Sequence, residues 1–183
     1  ESCALPILSH FQLKSYYLKK FVTRKNISVK KATIKDIYSI VRIHRKCVLY
    51  TNAKFYPKKS IKKWLNQISE KNTINQFKNS SWFVLKINNR IIGFCQFSLK
   101  NKTLYQINIY PKYQNKGFGI KLYNFIENYF KKYNKRKISL NSTLNAEKFY
   151  KTLGFKKLRK IKFKIDNIDI PMIKMEKKIF KVN

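Results

Sequence analysis

The feature that most narrows the fold is a hydrophobic period that changes between residues 104 and 141 from two to 3.6 and back to two. Tyr105, Ile107 and Ile109 alternate with Gln106 and Asn108, so residues 104–110 read as a strand with two unlike faces. After Pro111 and a glycine-bearing turn, Leu122, Phe125, Ile126, Tyr129, Phe130 and Tyr133 recur at helical spacing and trace one long amphipathic helix. Residues 137–141 return to a strand pattern. Strand, long helix and strand in that order close as a right-handed crossover, which predicts that the two strands are parallel neighbours in one sheet.

The same switching of period runs through the chain from residue 27 and predicts a mixed α/β domain. Residues 27–32 read as a first strand. Thr33 with Asp36 is a helix entry, and Ile37, Ile40, Val41, His44 and Val48 fall on one helical face. His44 on that stripe reads as a satisfied core histidine, with a catalytic role as the alternative. A second helix follows Pro57 and Ser60, with Ile61, Trp64, Leu65 and Ile68 at spacings of three and four; the polar stretch 70–80 reads as a loop. Residues 82–87 and 91–99, split by Asn88, Asn89 and Arg90, read as an antiparallel hairpin. A short helix over 145–153 and a closing hairpin of 158–165 with 171–177 complete the order.

A chain of 183 residues suits one domain, placed at 27–183, with residues 1–26 as an appendage. Within that appendage Phe11, Tyr17, Leu18 and Phe21 suit a helix docked on the domain, and an expression scar or a truncated upstream segment is the alternative. It lacks the basic region of a secretory signal. No stretch reaches the roughly 20 apolar residues that span a bilayer, so no membrane partner is expected. Cys3, Cys47 and Cys95 are odd in number and far apart, and with two histidines they compose no metal cluster. A reducing, cytoplasmic setting follows, with Cys47 and Cys95 as core filler.

The formal charge of +34, from 42 Lys and Arg against 8 Asp and Glu, has two readings. Dispersal of lysine along the chain beside abundant Asn, Ile, Tyr and Phe fits compositional drift, and a selected polyanion surface is the second reading. Either way the field attracts phosphate-bearing ligands.

Glycine is scarce, with four in the chain, and three of them, Gly117, Gly119 and Gly154, flank the crossover. In Gln114, Asn115, Lys116, Gly117, Phe118, Gly119 the turn leaves a strand and opens a helix, where amide hydrogens and the positive helix end can hold a pyrophosphate. The turn alone leaves open whether glycine serves an anion or only the bend. The second segment begins Asn145-Ala146-Glu147 and ends Tyr150-Lys151-Thr152-Leu153-Gly154-Phe155, with Gly154 as a helix stop. A tyrosine phenol of ordinary pKa, about 10, can protonate a departing thiolate, and Tyr150 is either that acid or one more core tyrosine.

These two segments together resemble the GNAT N-acetyltransferases, which carry a Q/RxxGxG/A turn after the fourth strand and an NAxxFYxxxGF helix after the fifth. The likeness runs over residues 27–177 and implies a mixed sheet of about six to seven strands flanked by about four helices. It implies acetyl-CoA as co-substrate, no metal, and direct acetyl transfer to a primary amine of a small molecule or peptide. Amides of Asn115, Lys116, Gly117, Phe118, Gly119 and Ile120 would hold the pyrophosphate, with Gln114 shaping the turn. Main-chain groups of Ile107, Asn108 and Ile109 would pair with the pantetheine arm and polarise the thioester carbonyl. Asn145 would touch that arm, and Tyr150 would be the general acid.

Many members place a glutamate near the fourth strand; here that strand offers Gln106 and Asn108. Glu147 is the nearest acid and reads as a solvated surface residue, leaving a water chain or a distant base for the amine. The acceptor would lie among Tyr50, Tyr56, Pro57 and Trp64, and the basic field disfavours a polyamine and leans towards an amino acid derivative or peptide amine. Other readings kept open are a ribosome- or RNA-associated protein on the same scaffold and a toxin acetylating aminoacyl-tRNA. Nucleic acid is thus a secondary partner expectation, and a homodimer is left open.

Overall fold

The computed structural model describes residues 26–180, so the expectations for the N-terminal appendage lie outside the described residues. Seven strands form one sheet in the order β1-β2-β3-β4-β5-β7-β6. They are β1 (Ile27–Lys31), β2 (Ser81–Ile87), β3 (Arg90–Ser98), β4 (Thr103–Ile109), β5 (Lys137–Ser142), β6 (Lys156–Ile165) and β7 (Ile168–Lys178). Neighbours are antiparallel except β4 and β5, which run parallel as the crossover requires.

Five α-helices accompany them: α1 (Ile37–Tyr50), α2 (Lys58–Gln67), α3 (Glu70–Phe77), α4 (Phe118–Lys132) and α5 (Glu147–Thr152). Thr33 opens the segment before α1, its N–H and Oγ1 donating to Asp36 Oδ2 at 2.8 and 3.0 Å. The helix α3 replaces the loop expected over 70–80. Its polar sequence hides it from a hydrophobic period, but Ser69 caps it, Oγ accepting from Asn72 N at 3.2 Å, and Glu70 sits in its first turn where the helix dipole favours a negative charge. Asn88 and Asn89 both adopt positive φ, 46° and 66°, the backbone that a two-residue hairpin between twisted strands demands.

The sheet has two packed faces. On one, Leu122, Ile126 and Phe130 of α4 lie fully buried against Leu85, Phe97 and Ile138, each worth about 1.5–3 kcal/mol relative to exposure. On the other, Ile40, Ile43 and Cys47 of α1 cover Trp82, Val84 and Phe94. Tyr56, expected among the acceptor aromatics, instead ties elements together: its hydroxyl donates to Pro171 O at 3.0 Å and accepts from Leu144 N at 2.8 Å. Arg45 likewise fastens α1 to the α2–α3 junction through Leu65 O and Ile68 O at 2.7 and 3.1 Å.

Candidate active site

The parallel pairing of β4 with β5 is confined to Thr103 with Ser139 and Leu104 with Leu140. Beyond Leu104 the strands part. Tyr110 N donates back to Ile92 O on β3 at 2.8 Å, and backbone direction alternates along a strand, so Ile107 and Ile109 aim their N–H groups into the gap. The gap opens into a cavity of about 1370 Å³.

Gln114 closes one end of it. Its Nε2 donates to Ile109 O at 2.8 Å, and its amide lies 3.2 Å from Thr51 Oγ1 at the end of α1. That anchor fixes where the chain leaves β4 and starts α4. Asn115 and Gly117 take positive φ, 58° and 79°, and Gly117 is the residue that precedes the first helical turn. A Cβ on Gly117 would meet nothing within 4 Å, so packing does not require glycine there; the left-handed backbone does. The first helical bond is Lys121 N to Gly117 O at 3.0 Å, which leaves the amides of Phe118, Gly119 and Ile120 without a partner inside the helix.

Of the residues singled out in the sequence, Ile107, Asn108, Ile109, Gln114, Asn115, Gly117, Gly119, Ile120, Asn145 and Tyr150 line this one cavity. Lys116 is exposed and not among the lining residues, and Phe118 turns its half-buried ring onto Tyr113, centroids 6.3 Å apart. Asn145 Oδ1 is buried and, among the described residues, is the one such side-chain atom without a hydrogen-bond partner. An acceptor oxygen left in that state costs about 1–3 kcal/mol unless a ligand donates to it.

Tyr150 is buried on the same wall, its ring edge-on to Phe149 and Phe155 at 5.2 and 5.6 Å. Burial pushes its phenol well above the ordinary value, and the Cys95 thiol adds to the effect. Cys95 and Cys47 are themselves raised by burial, Cys47 to about 12, so neither is a thiolate at neutral pH.

The opposite wall is built from side chains. Gln106 Nε2 donates to Gln96 Oε1 at 2.7 Å, Asn108 Nδ2 to Gln106 Oε1 at 2.8 Å, and Gln96 Nε2 to Ser80 Oγ at 3.0 Å. This chain of amides crosses β3 and β4 facing α1. Gln96 and Ser80 carried no signal in the sequence, because Gln96 stands alone between apolar residues and Ser80 is one polar residue at the end of a polar stretch. His44 also lines the cavity, edge-on to Phe94 at 6.0 Å, and burial drives its pKa down to about 4. Glu147, by contrast, is not among the lining residues and binds Lys151 at 2.9 Å and Lys157 at 3.4 Å, which hold its carboxyl below the usual range. Trp64 lines the cavity, whereas Tyr50 is more than half exposed.

Residues 52–179 match the family model described as an acetyltransferase (GNAT) domain. The chain belongs to the GNAT acetyltransferase family. No curated protein sequence matches it. Among solved structures it is similar to a GCN5-related N-acetyltransferase described as a class-II aminotransferase from Rhodopseudomonas palustris, at 13% identity, 83% and 95% coverage of the two chains and a TM-score of 0.78. The PaiA N-acetyltransferase of Thermoplasma acidophilum, solved with coenzyme A, shares 21% identity over 84% of this chain and 99% of its own, with a TM-score of 0.69. A phosphinothricin acetyltransferase of Sinorhizobium meliloti, solved with acetyl-CoA, shares 17% identity over 84% and 88%, with a TM-score of 0.64. At these identities the likeness is one of fold.

Proposed function

We propose that the protein transfers acetyl from acetyl-CoA to a primary amine, both bound together in the cavity. The observation that carries this reading is the arrested pairing of β4 with β5, which opens main-chain groups to a cavity shared with the glycine turn and Tyr150. Acetyl-CoA fits the residues present: a diphosphate has free amides at the start of α4, and an amide-bearing arm has the orphaned oxygen of Asn145. When bound, it supplies an activated acyl group and a thiol leaving group.

The remaining chemistry belongs to this chain. One N–H of the Ile107 and Ile109 pair, both preorganised by the β3 ladder, would donate to the acyl oxygen as negative charge develops on it. Tyr150 holds its proton throughout the neutral range because burial disfavours the phenolate. It would therefore act as a hydrogen-bond donor that stabilises negative charge developing on the departing sulfur.

On the acceptor wall, Asp166 is the one carboxylate among the described lining residues, and it is held by Lys63 and Gln67, each at 3.2 Å. The amine proton accordingly leaves to water along the Gln96, Gln106 and Asn108 amides. Proximity of amine and acyl carbon supplies most of the rate, and proton transfer adds a factor of about a hundred or more.

Calorimetric titration with acetyl-CoA, run beside a thiol-release assay on a panel of primary amines, tests the proposal. Sub-millimolar donor binding with amine-dependent thiol release is expected; absence of donor binding up to millimolar concentration ends it.

A further inference from the structure

The amides on the acceptor side of the cavity run in one direction, and a group that can only donate sets it. Trp82 Nε1, an indole N–H with no acceptor capacity, donates to Ser80 Oγ at 2.9 Å. The one proton of that hydroxyl goes to Gln76 O at 2.7 Å, a carbonyl that can only accept. The Gln96 amide atom 3.0 Å from Ser80 Oγ is therefore its nitrogen. Gln96 Oε1 is then left to accept from Gln106 Nε2, and Gln106 Oε1 to accept from Asn108 Nδ2. Each amide takes its orientation from the one before it, and the last oxygen, Asn108 Oδ1, is left over. The one buried side-chain atom without a partner among the described residues is Asn145 Oδ1, so the Asn108 oxygen is open, and Asn108 lines the cavity.

Asn108 stands between Ile107 and Ile109 on β4, opposite Phe94 of β3, and so on the α1 face of the sheet. The backbone on either side of it thus faces the space proposed for the donor, while its side chain faces the space left for the acceptor. Nothing there compensates a positive charge. Asp166 is the one carboxylate among the described lining residues, and Lys63 and Gln67 hold it. The other titratable groups along the cavity are His44 and Cys47 of α1, Tyr105 of β4, Tyr150 of α5 and Lys164 of β6, none of them a carboxylate.

We infer that Asn108 Oδ1 receives the acceptor nitrogen as a neutral amine, and that Trp82 is a positioning residue that keeps this oxygen turned to the cavity. The inference rests on acetyl transfer as the activity. A carbonyl oxygen offers an N–H one hydrogen bond and no charge to offset an ammonium, and 42 Lys and Arg against 8 Asp and Glu oppose a cation throughout. Held by one N–H, the nitrogen keeps its lone pair for the acyl carbon. As the N–C bond forms the C–S bond breaks, the sulfur leaves with that electron pair, and the surplus amine proton passes to water. The substrate class that fits is an amine of low basicity. An α-amine of a peptide or amino acid derivative titrates at about 8 and a lysine ε-amine at about 10.4, so at pH 7.5 their free-base fractions differ by on the order of two hundredfold.

The test is thiol release at pH 7.5 with alanyl-alanine amide and with Nα-acetyl-lysine amide, beside the acetyl-CoA Kd by calorimetry. Asn108→Ala should lose about three- to tenfold in kcat/KM with both amines, mostly in KM, with the donor Kd within about twofold. Asn108→Asp puts a carboxylate where an ammonium can pair with it, and should narrow the preference for the α-amine by about tenfold, a ratio that a packing defect would not move. Trp82→Phe keeps the stack on Phe77 and Phe94, at 4.8 and 5.7 Å, and removes the indole donor. It should lose about two- to threefold, and nothing further when combined with Asn108→Ala, because the indole acts through an oxygen already gone. Should the Asn108 variants fail to bind donor, Trp82→Phe alone decides: a loss of amine kcat/KM at unchanged donor Kd supports the inference and no loss overturns it. Asn108→Ala within about twofold of the unaltered chain, an unmoved amine ratio in Asn108→Asp, or additive losses in the double variant would overturn it while leaving acetyl transfer standing. Absence of amine-dependent thiol release from the unaltered chain would instead remove the acetyl-transfer reading itself.

Discussion

The two walls of the cavity are made of different material. The wall proposed for the donor is largely backbone: the Ile107 and Ile109 amides, the bend at Asn115 and Gly117, and the open end of α4, with the Asn145 and Tyr150 side chains beside them. The wall proposed for the acceptor is side chain: Gln96, Gln106, Asn108 and His44, gathered from α1, β3 and β4. A wall of backbone binds the same ligand whatever side chains it carries, whereas a wall of side chains changes its ligand with each substitution. One family can thereby keep a donor and vary an acceptor.

The sharpest way to break this division is Tyr150→Phe, which removes one hydroxyl from the proposed donor wall and keeps the ring. Turnover in the thiol-release assay should fall about a hundredfold or more, while acetyl-CoA affinity by calorimetry stays within about twofold. Equal loss of both would make Tyr150 a packing residue. Gly117→Val comes next. Nothing obstructs a side chain there, so the cost is the left-handed backbone, about 1–2 kcal/mol, read as a roughly five- to thirtyfold weaker donor Kd with little change in the acceptor KM.

Asn145→Leu sharpens the contrast, because its two readouts should move oppositely. Losing the hydrogen bond to the donor should weaken the acetyl-CoA Kd by about two- to tenfold, and losing an unsatisfied buried oxygen should raise the melting temperature of the ligand-free protein. A fall in both would place the side chain in the scaffold instead.

The smallest effect belongs to the acceptor wall. His44 in the folded protein resists protonation until about pH 4, while an unfolded histidine takes its proton near 6.5. The unfolded state thus binds more protons between those values, and stability falls as pH drops through that window, by less than about 1.4 kcal/mol per pH unit. Thermal melts of His44→Phe should flatten that span and leave the region above pH 7 unchanged. Below it a second loss should appear as Glu127 titrates. Burial opposes its carboxylate, but hydrogen bonds from Lys177, Tyr123 and Lys131 hold it down to about 2. Its contribution is therefore present above about 4.5 and is lost towards 2.

Legibility in the sequence followed the same division. Period and glycine placement announced β4, the turn, α4 and the parallel return to β5, since each depends on local backbone. The pairing of Ile107, Asn108 and Ile109 with a ligand arm was reached through family resemblance, and the gap between β4 and β5 left no pattern in residues 103–109, because strand separation is a property of two segments. The helix α3 was hidden by its polar composition, and β7 begins at Ile168, before the proline that seemed to open it. Its last pairing with β5 is Ser142 with Ile173, so Pro171 lies where β7 has a neighbour on one side only. Glu147 illustrates the limit on the site: one helical turn from Tyr150 in sequence, it is drawn to the surface by two lysines. Gln96 shows the converse, a lone polar residue whose partners lie on another strand.

The brevity of the β4 and β5 seam bears on rigidity as well as on chemistry. Two residue pairs stitch one half of the sheet to the other, and a molecule with amides along its length would add the missing rungs. Loading the protein should then slow hydrogen exchange at Ile107 and Ile109 and let both halves melt as one body, so that how stiff the molecule is becomes a measure of whether its donor is aboard.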